Sequence, residues 1–396
     1  MPKELAYMLI NPYTISKSRT GGVISRVIGR SDLNFVAARM YGPSQALVQE
    51  YADIIRSKDH GSSTASDLIA DYVLKSYAPD AQTGRPKRVM LLLFEGEDAI
   101  SKIWELTGHA TVKDGSGRSI RDTYGDYIVD DKGEVSYFEP AVLVAPSQRR
   151  AMASLQLWAR YAASDGGIIH HAGDVPLGDD VESTLVMLKP DNFQVPSSRA
   201  GSIVDILSTS GLRIVGVKKF SMTVAQASEF YGPVVEALTS KFKAIGGERL
   251  NHAIVQEFGF ALPPDVLDDV CQRLGPLFAH SQFDEIVQFM TGFRPHEVLE
   301  EQQPFAGKER CLALVYEGRN AVQKIRDILG PTDPSKAKPG SVRREFGSNI
   351  MVNAAHASDS PENAQREMAI IKADEDTIRL VVEAFYGQTV EGAASA

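Results

Sequence analysis

The chain has 396 residues, too many for one comfortable core, so two domains are the default expectation. It is 43% hydrophobic and 23% charged, as ordinary globular proteins are, and it holds no run of apolar residues long enough to cross a membrane as a helix. A formal net charge of −9 argues against wholesale binding to nucleic acid or an anionic membrane, which both call for a basic face. The opening MPKELAYMLINPYTI lacks the apolar stretch of a signal peptide, so the expectation is a cytoplasmic protein. Cys271 and Cys311 form neither a disulfide framework nor a zinc spacing and read as structural thiols.

In chain order, AYMLINPYTI at 6–15 comes first, then Gly22-Val23-Ile24 and SDLNFVAARMY at 31–41. RVMLLLFEGEDAISKI at 88–103 is a strand-like apolar run ending in Phe-Glu-Gly and passing into a helix-period segment. SIRDTYGDYI surrounds Arg121. A Gly- and Asp-rich stretch at 164–180, SDGGIIHHAGDVPLGDD, marks a boundary, and its His170-His171 pair reads as solvent-exposed. Beyond it the same pieces return: TLVMLKPDNF at 184–193, Gly201-Ser202-Ile203, SGLRIVGVKKF at 210–220, RCLALVYEGRNAVQKI at 310–325 and SVRREFGSNI around Arg343. Such ordered self-similarity is an internal duplication.

Within the second copy, a strand over Thr184–Leu188 leads through Lys189-Pro190-Asp191 into a helix near Ser202–Thr209. A strand at Leu212–Phe220 and a helix opened by Thr223 follow. After an irregular stretch come a helix at 283–290, a strand at 311–316, a helix at 319–329 and a strand near Asn349–Ala354. The last helix starts at Ser360-Pro361, an N-cap serine followed by proline at the first helical position. This order predicts an α+β protein of two tandem ferredoxin-like (split βαβ) domains, each an antiparallel sheet with helices on one face. The domains are expected at 1–163 and 182–396, joined by a linker at 164–181, with a helical insertion in the second at about 232–282.

No GxxxxGK[ST] loop, GxGxxG turn, HExxH or CxxC occurs, so any phosphate chemistry here proceeds without a Gly-rich cradle. The second copy instead carries Asn353-Ala354-Ala355-His356-Ala357-Ser358-Asp359-Ser360, with Glu367 on the helix that follows. An imidazole ordinarily titrates near neutrality, so one ring nitrogen can act as a nucleophile while a carboxylate holds the other.

NAAHASDS resembles the NxxHGSDS signature of nucleoside diphosphate kinases, with alanine in place of the glycine. TLVMLKPD, EGRNAVQKIRDILGPTDPSKAKPGSVRREF and SPENAQREM are similar to further blocks of that family, in family order over 183–231 and about 283–372. The resemblance implies transfer of the γ-phosphoryl of ATP to nucleoside diphosphates through phospho-His356, by a ping-pong route. It implies Glu367 as the carboxylate partner and Ser358 as the adjacent hydroxyl. Lys189, Tyr231, Arg326, Thr332, Arg343 and Asn353 become the phosphate and ribose contacts, Lys189 being also part of the catalytic set. It further implies a magnesium ion (Mg2+) held mainly by the nucleotide phosphates and a homo-oligomeric assembly. Gln282 stands at the place of the family's base-stacking aromatic, with Phe278 as the candidate substitute.

The first copy departs at the chemistry: Asn11 stands where Lys189 does and Trp104 where Arg326 does, while Pro140 or Ala141 takes the histidine's place. It reads as a catalytically dead copy retained for packing. The rival readings are a non-catalytic nucleotide-binding regulatory protein and a phosphohistidine relay, neither of which uses the whole Lys189, Arg326, Arg343, His356 and Glu367 set.

Overall fold

The computed structural model describes residues 2–58, 64–111, 115–173, 178 and 180–393. The first copy runs β1 (Lys3–Ile10), α1 (Pro12–Ser16), α2 (Thr20–Arg30), β2 (Asn34–Tyr41), α3 (Gln45–Arg56), α4 (Thr64–Ser76), β3 (Val89–Glu97), α5 (Ala99–Thr107) and α6 (Ile120–Tyr124). A hairpin of β4 (Asp126–Val129) and β5 (Val135–Glu139) precedes β6 (Val142–Leu143) and α7 (Gln148–Arg160). The second copy runs β7 (Glu182–Leu188), α8 (Arg199–Ser208), β8 (Arg213–Ser221), α9 (Val224–Tyr231), α10 (Pro233–Phe258), α11 (Pro264–Thr291), β9 (Arg310–Gly318) and α12 (Ala321–Leu329). It closes with α13 (Val342–Phe346), β10 (Ala355–Ala357), α14 (Pro361–Ile370) and α15 (Ile378–Tyr386).

The two main sheets have the orders β2-β3-β1-β6 and β10-β7-β9-β8. Each places its fourth strand beside its first and its third between first and second, which is the ferredoxin-like topology expected for both copies. Matching details repeat across the duplication. Asp98 and Asn320 enter α5 and α12 in the left-handed conformation. The carboxylates of Glu4 and Glu182 accept the amide N–H of Ile100 and of Val322, each at 3.0 Å.

Helices cover more than the one face expected in the first copy. β1 is buried without a break from Leu5 to Ile10. Both α5 and α7 pack against it. Tyr7 hydrogen-bonds Tyr51 on α3 at 3.1 Å, and the Trp158 ring of α7 meets Tyr41 edge-on at 4.9 Å. A strand covered on both faces has no use for polar alternation, which is why LAYMLI is continuously apolar.

The compact units of the chain do not follow the repeats. Residues 1–220 with 311–396 form one, and residues 221–310 form the other. Inside the first unit the two copies share a single hydrophobic core. Helices α2 and α8 pack directly on each other. At their crossing, a Cβ on Gly21 would lie 2.5 Å from the Gly201 carbonyl oxygen, and one on Gly201 would lie 2.3 Å from the Gly21 carbonyl oxygen. Gly21, rather than Gly22, is thus the counterpart of Gly201. The linker lies along the sheet edges: Gly167 N–H donates to Met40 O on β2 and Ile169 N–H to Val215 O on β8, each at 2.8 Å. Edge strands with unpaired backbone groups are thereby covered. From the second copy, α15 packs on α7 and β2.

The second unit is a helical hairpin of α10 and α11 with α9 and the segment up to Arg310. Thr223 closes a capping box with Gln226 at the start of α9, as its sequence predicts. The helix expected at 283–290 is the end of α11, which runs through Gly275-Pro276, a pair that reads locally as a stop. Two other expectations shift. The strand predicted near Asn349–Ala354 lies at Ala355–Ala357, because the Asn349 carboxamide oxygen accepts the N–H groups of Met351 and Val352 and turns the chain there. The helix at Ser360-Pro361 is followed by α15 and is not the last.

Replacing Gly201 with valine should lower the melting temperature of the chain, at a cost of about 1–3 kcal/mol, because two backbones already fill the Cβ position. Thermal unfolding followed by circular dichroism checks it, and an unchanged transition would contradict the helix contact described here.

Candidate active site

The histidine and the lysine lie at neighbouring strands of the second sheet. β10 pairs antiparallel with β7 in the register Ala355 to Leu188 and His356 to Met187. Lys189 follows β7 directly, and its N–H donates to Ala354 O at 2.9 Å. Ala354 itself has a left-handed φ of 69°. Histidine and lysine are therefore held side by side at one sheet end by backbone bonds.

His356 Nε2 lies 2.9 Å from the Glu367 carboxylate, which also accepts the Ser358 hydroxyl at 2.5 Å. Glu367 sits on α14, a helix started by Ser360, whose hydroxyl accepts the Asn363 N–H, and by Pro361 at its first position. Ser358 and Glu367 are both buried, so the carboxylate's geometry is fixed rather than solvent-averaged. Against an ionised carboxylate, which only accepts, a neutral ring would place its proton on Nε2 and its lone pair on Nδ1.

Lys189 Nζ donates to Asn353 Oδ1 at 2.8 Å and to Met351 O at 3.2 Å. Asn353 is buried and donates in turn to Ile350 O at 2.7 Å and Thr332 O at 3.3 Å. Burial first, then the neighbouring Arg343 charge, pull the Lys189 ammonium down to about 8. Arg343 is braced by bonds to Gly330 O at 2.8 Å and Ala355 O at 3.1 Å. Burial and the nearby Arg326 lower it to about 10. Arg326 on α12 is exposed, as is Thr332. Three cations thus crowd one region, where Arg343 disfavours the Lys189 ammonium and Arg326 disfavours the Arg343 guanidinium, an arrangement that an incoming polyanion would relieve. Among the described residues no His, Cys, Asp and Glu side chains gather into a metal site. The donor set suits phosphate oxygens, and a magnesium ion would arrive on the phosphates themselves.

Eight of the nine residues singled out in the sequence are accordingly found in the first unit. The ninth, Tyr231, is buried at the end of α9 in the second unit, where its ring packs against Phe230 at 4.9 Å. Phe278 packs on Phe242 within the helical hairpin at 5.1 Å, and Gln282 donates to Glu285 at 3.2 Å. The sequence reading passed over Asn192 and Arg199. Asn192 donates to Lys189 O and Ala354 O, and Arg199 donates to Phe346 O and pairs with Asp191. Both act by bracing backbone, a role without a local sequence signal.

The first copy keeps this scaffold without its chemistry. Arg121 repeats the bracing of Arg343, with bonds to Gly108 O at 2.8 Å and Val142 O at 3.1 Å. Leu143 faces Leu9 in the register in which His356 faces Met187, so Leu143, not Pro140 or Ala141, occupies the histidine's place. Ala141, with φ 59°, corresponds to Ala354. The β4–β5 hairpin displaces the alignment just upstream, which is why direct matching of the two strings misses the register. Where the second copy has its lysine, the Asn11 carboxamide accepts the Tyr77 hydroxyl at 2.6 Å and donates to Glu139 at 3.3 Å. Tyr72 also donates to Glu139, at 2.7 Å. Burial holds the Glu139 carboxyl above its ordinary range. The vestigial site is filled by the protein's own side chains.

A model of the nucleoside diphosphate kinase family matches residues 182–243 and 281–377, and the gap falls within α10 and α11. The nucleoside diphosphate kinase of Campylobacter hominis is 31% identical over 193 residues, covering 49% of this chain and 96% of that protein. That of Nitratiruptor is 29% identical over 198 residues, covering 50% of this chain and 100% of the relative. Among solved structures, the Aquifex aeolicus nucleoside diphosphate kinase is 29% identical with a TM-score of 0.30, covering 48% of this chain and 94% of that one. The chain belongs to the nucleoside diphosphate kinase family.

Substituting Arg343 with alanine should raise the Lys189 pKa, since it removes a like charge that disfavours the ammonium. NMR titration of the lysine side chain reads this directly, and an unmoved titration near 8 would contradict the coupling.

Proposed function

We propose that the second copy is a working nucleoside diphosphate kinase that carries a phosphoryl group on His356. The observation that supports this reading most strongly is the His356–Glu367–Ser358 arrangement beside Lys189 and Arg343. With Nε2 held by Glu367, the Nδ1 lone pair attacks the γ-phosphorus of ATP. The N–P bond forms as the bond to the β-phosphate oxygen breaks, and ADP leaves with the electron pair. In the second half-reaction an oxygen of a nucleoside diphosphate attacks the same phosphorus and the imidazole departs unchanged.

Phosphoryl transfer asks mainly for position and for positive charge on the phosphate oxygens. Lys189, Arg326 and Arg343 supply the charge, while Thr332 and Asn353 contact sugar or phosphate. Magnesium bound to the nucleotide neutralises further phosphate charge. The Lys189 ammonium is depressed toward 8 in the free protein, so the apparent second-order rate falls as pH rises through that value. The first copy takes no part in transfer, as its site holds Leu143, Asn11 and the Tyr77 plug. A purely regulatory nucleotide binder has no need of an oriented histidine, which disfavours that alternative.

Initial rates measured with ATP and a second nucleoside diphosphate should give the parallel double-reciprocal lines of a ping-pong route. His356→Ala should abolish turnover, and Glu367→Gln should lower it by about 100-fold through loss of ring orientation. Intersecting lines, or an active His356→Ala protein, would sink this reading.

A further inference from the structure

A cavity lies at the seam of the two copies, and none of the residues placed around the histidine lines it. Its volume is about 390 Å³, and it is lined from the first copy by Ser16, Ser18, Thr20 and Arg88 and from the second by Arg213 and Tyr316, among others. That volume falls in the range of small-molecule sites.

Its chemistry is one-sided. Arg88 is buried and donates across the seam to Ile214 O at 2.8 Å, while Arg213 donates to Ala172 O in the linker at 2.8 Å, so both guanidiniums are anchored. Burial and then the Arg213 charge bring Arg88 down to about 10. Among the described residues no carboxylate lines the cavity. The nearest acid that tempers these arginines, Glu317, is engaged by the His170 ring at 2.8 Å and the His171 N–H at 3.1 Å. Thr20 is 3% exposed, and its hydroxyl has no hydrogen-bond partner among the described residues. A buried hydroxyl left unanswered is unfavourable, and an acceptor in the cavity would answer it. The exposed Ser16 and Ser18 add hydroxyls at the rim.

We propose that this seam cavity binds a phosphate-bearing small molecule, a phosphomonoester or a diphosphate, which Arg88 and Arg213 hold from opposite copies while Thr20 donates its hydroxyl. Guanidinium forks match phosphate oxygens in geometry and charge, and the hydroxyl supplies a neutral third donor. A ligand bound by both copies stabilises their packing by mass action, so its occupancy is coupled to the duplicated core rather than to the transfer chemistry.

The test is calorimetric titration of the whole chain with inorganic pyrophosphate. Wild type should show two sites. Arg213→Glu and Ser16→Asp should each weaken one of them by roughly tenfold or more while leaving kinase turnover intact, and Lys189→Ala should remove the other. Ser16 is exposed, so its variant keeps the test valid should Arg213→Glu fail to fold. A single wild-type site lost in Lys189→Ala would overturn the proposal, and so would a second site unaffected by both Arg213→Glu and Ser16→Asp. Because turnover is measured separately, failure here leaves the reading of His356 untouched.

Discussion

The contact between α2 and α8 is the constraint on which the larger unit depends. Two helices approach until their backbones touch, and only glycine at positions 21 and 201 permits it. That approach lets Val23 and Ile24 of one copy and Ile203 and Val204 of the other contribute to one core. A single core across both copies explains why the compact units cut the chain at 221 and 310 rather than at the linker. The first copy thereby covers apolar surface of the second that would otherwise face water.

The same physical logic separates the fates of the two sites. Both copies keep the arginine that braces the sheet end, Arg121 or Arg343, with near-identical bonds. In the first copy, Asn11, Tyr72, Tyr77 and Glu139 satisfy one another in the space beside it. In the second, the corresponding region gathers Arg326 with Lys189 and Arg343, and the last two are held below their ordinary pKa values. Fully satisfied polar groups make a rigid interior, whereas crowded like charges mark a candidate binding site.

Much of this was legible in the residues. The duplicated Glu-Gly strand ends locate both sheets, and the resemblance of NAAHASDS to the family signature singles out the histidine. Thr223 and Ser360 announce their helices through side-chain caps. What the string concealed was non-local. The place of Leu143 depends on strand register, which the β4–β5 hairpin obscures. The length of α11 depends on tertiary support that overrides Gly275-Pro276. The bracing by Arg199 and Asn192, and the tyrosine plug, rest on partners far away in the chain.

The central claim is that phosphoryl chemistry resides in one copy alone and on one imidazole. The most direct test is to incubate the whole chain with γ-labelled ATP and magnesium, quench in alkali, digest, and map the label by mass spectrometry. The account predicts a single acid-labile, alkali-stable phosphoryl group per chain on the peptide that contains His356, discharged by adding a nucleoside diphosphate. Label on any residue of the first copy, or a chain that takes up no label, would contradict it.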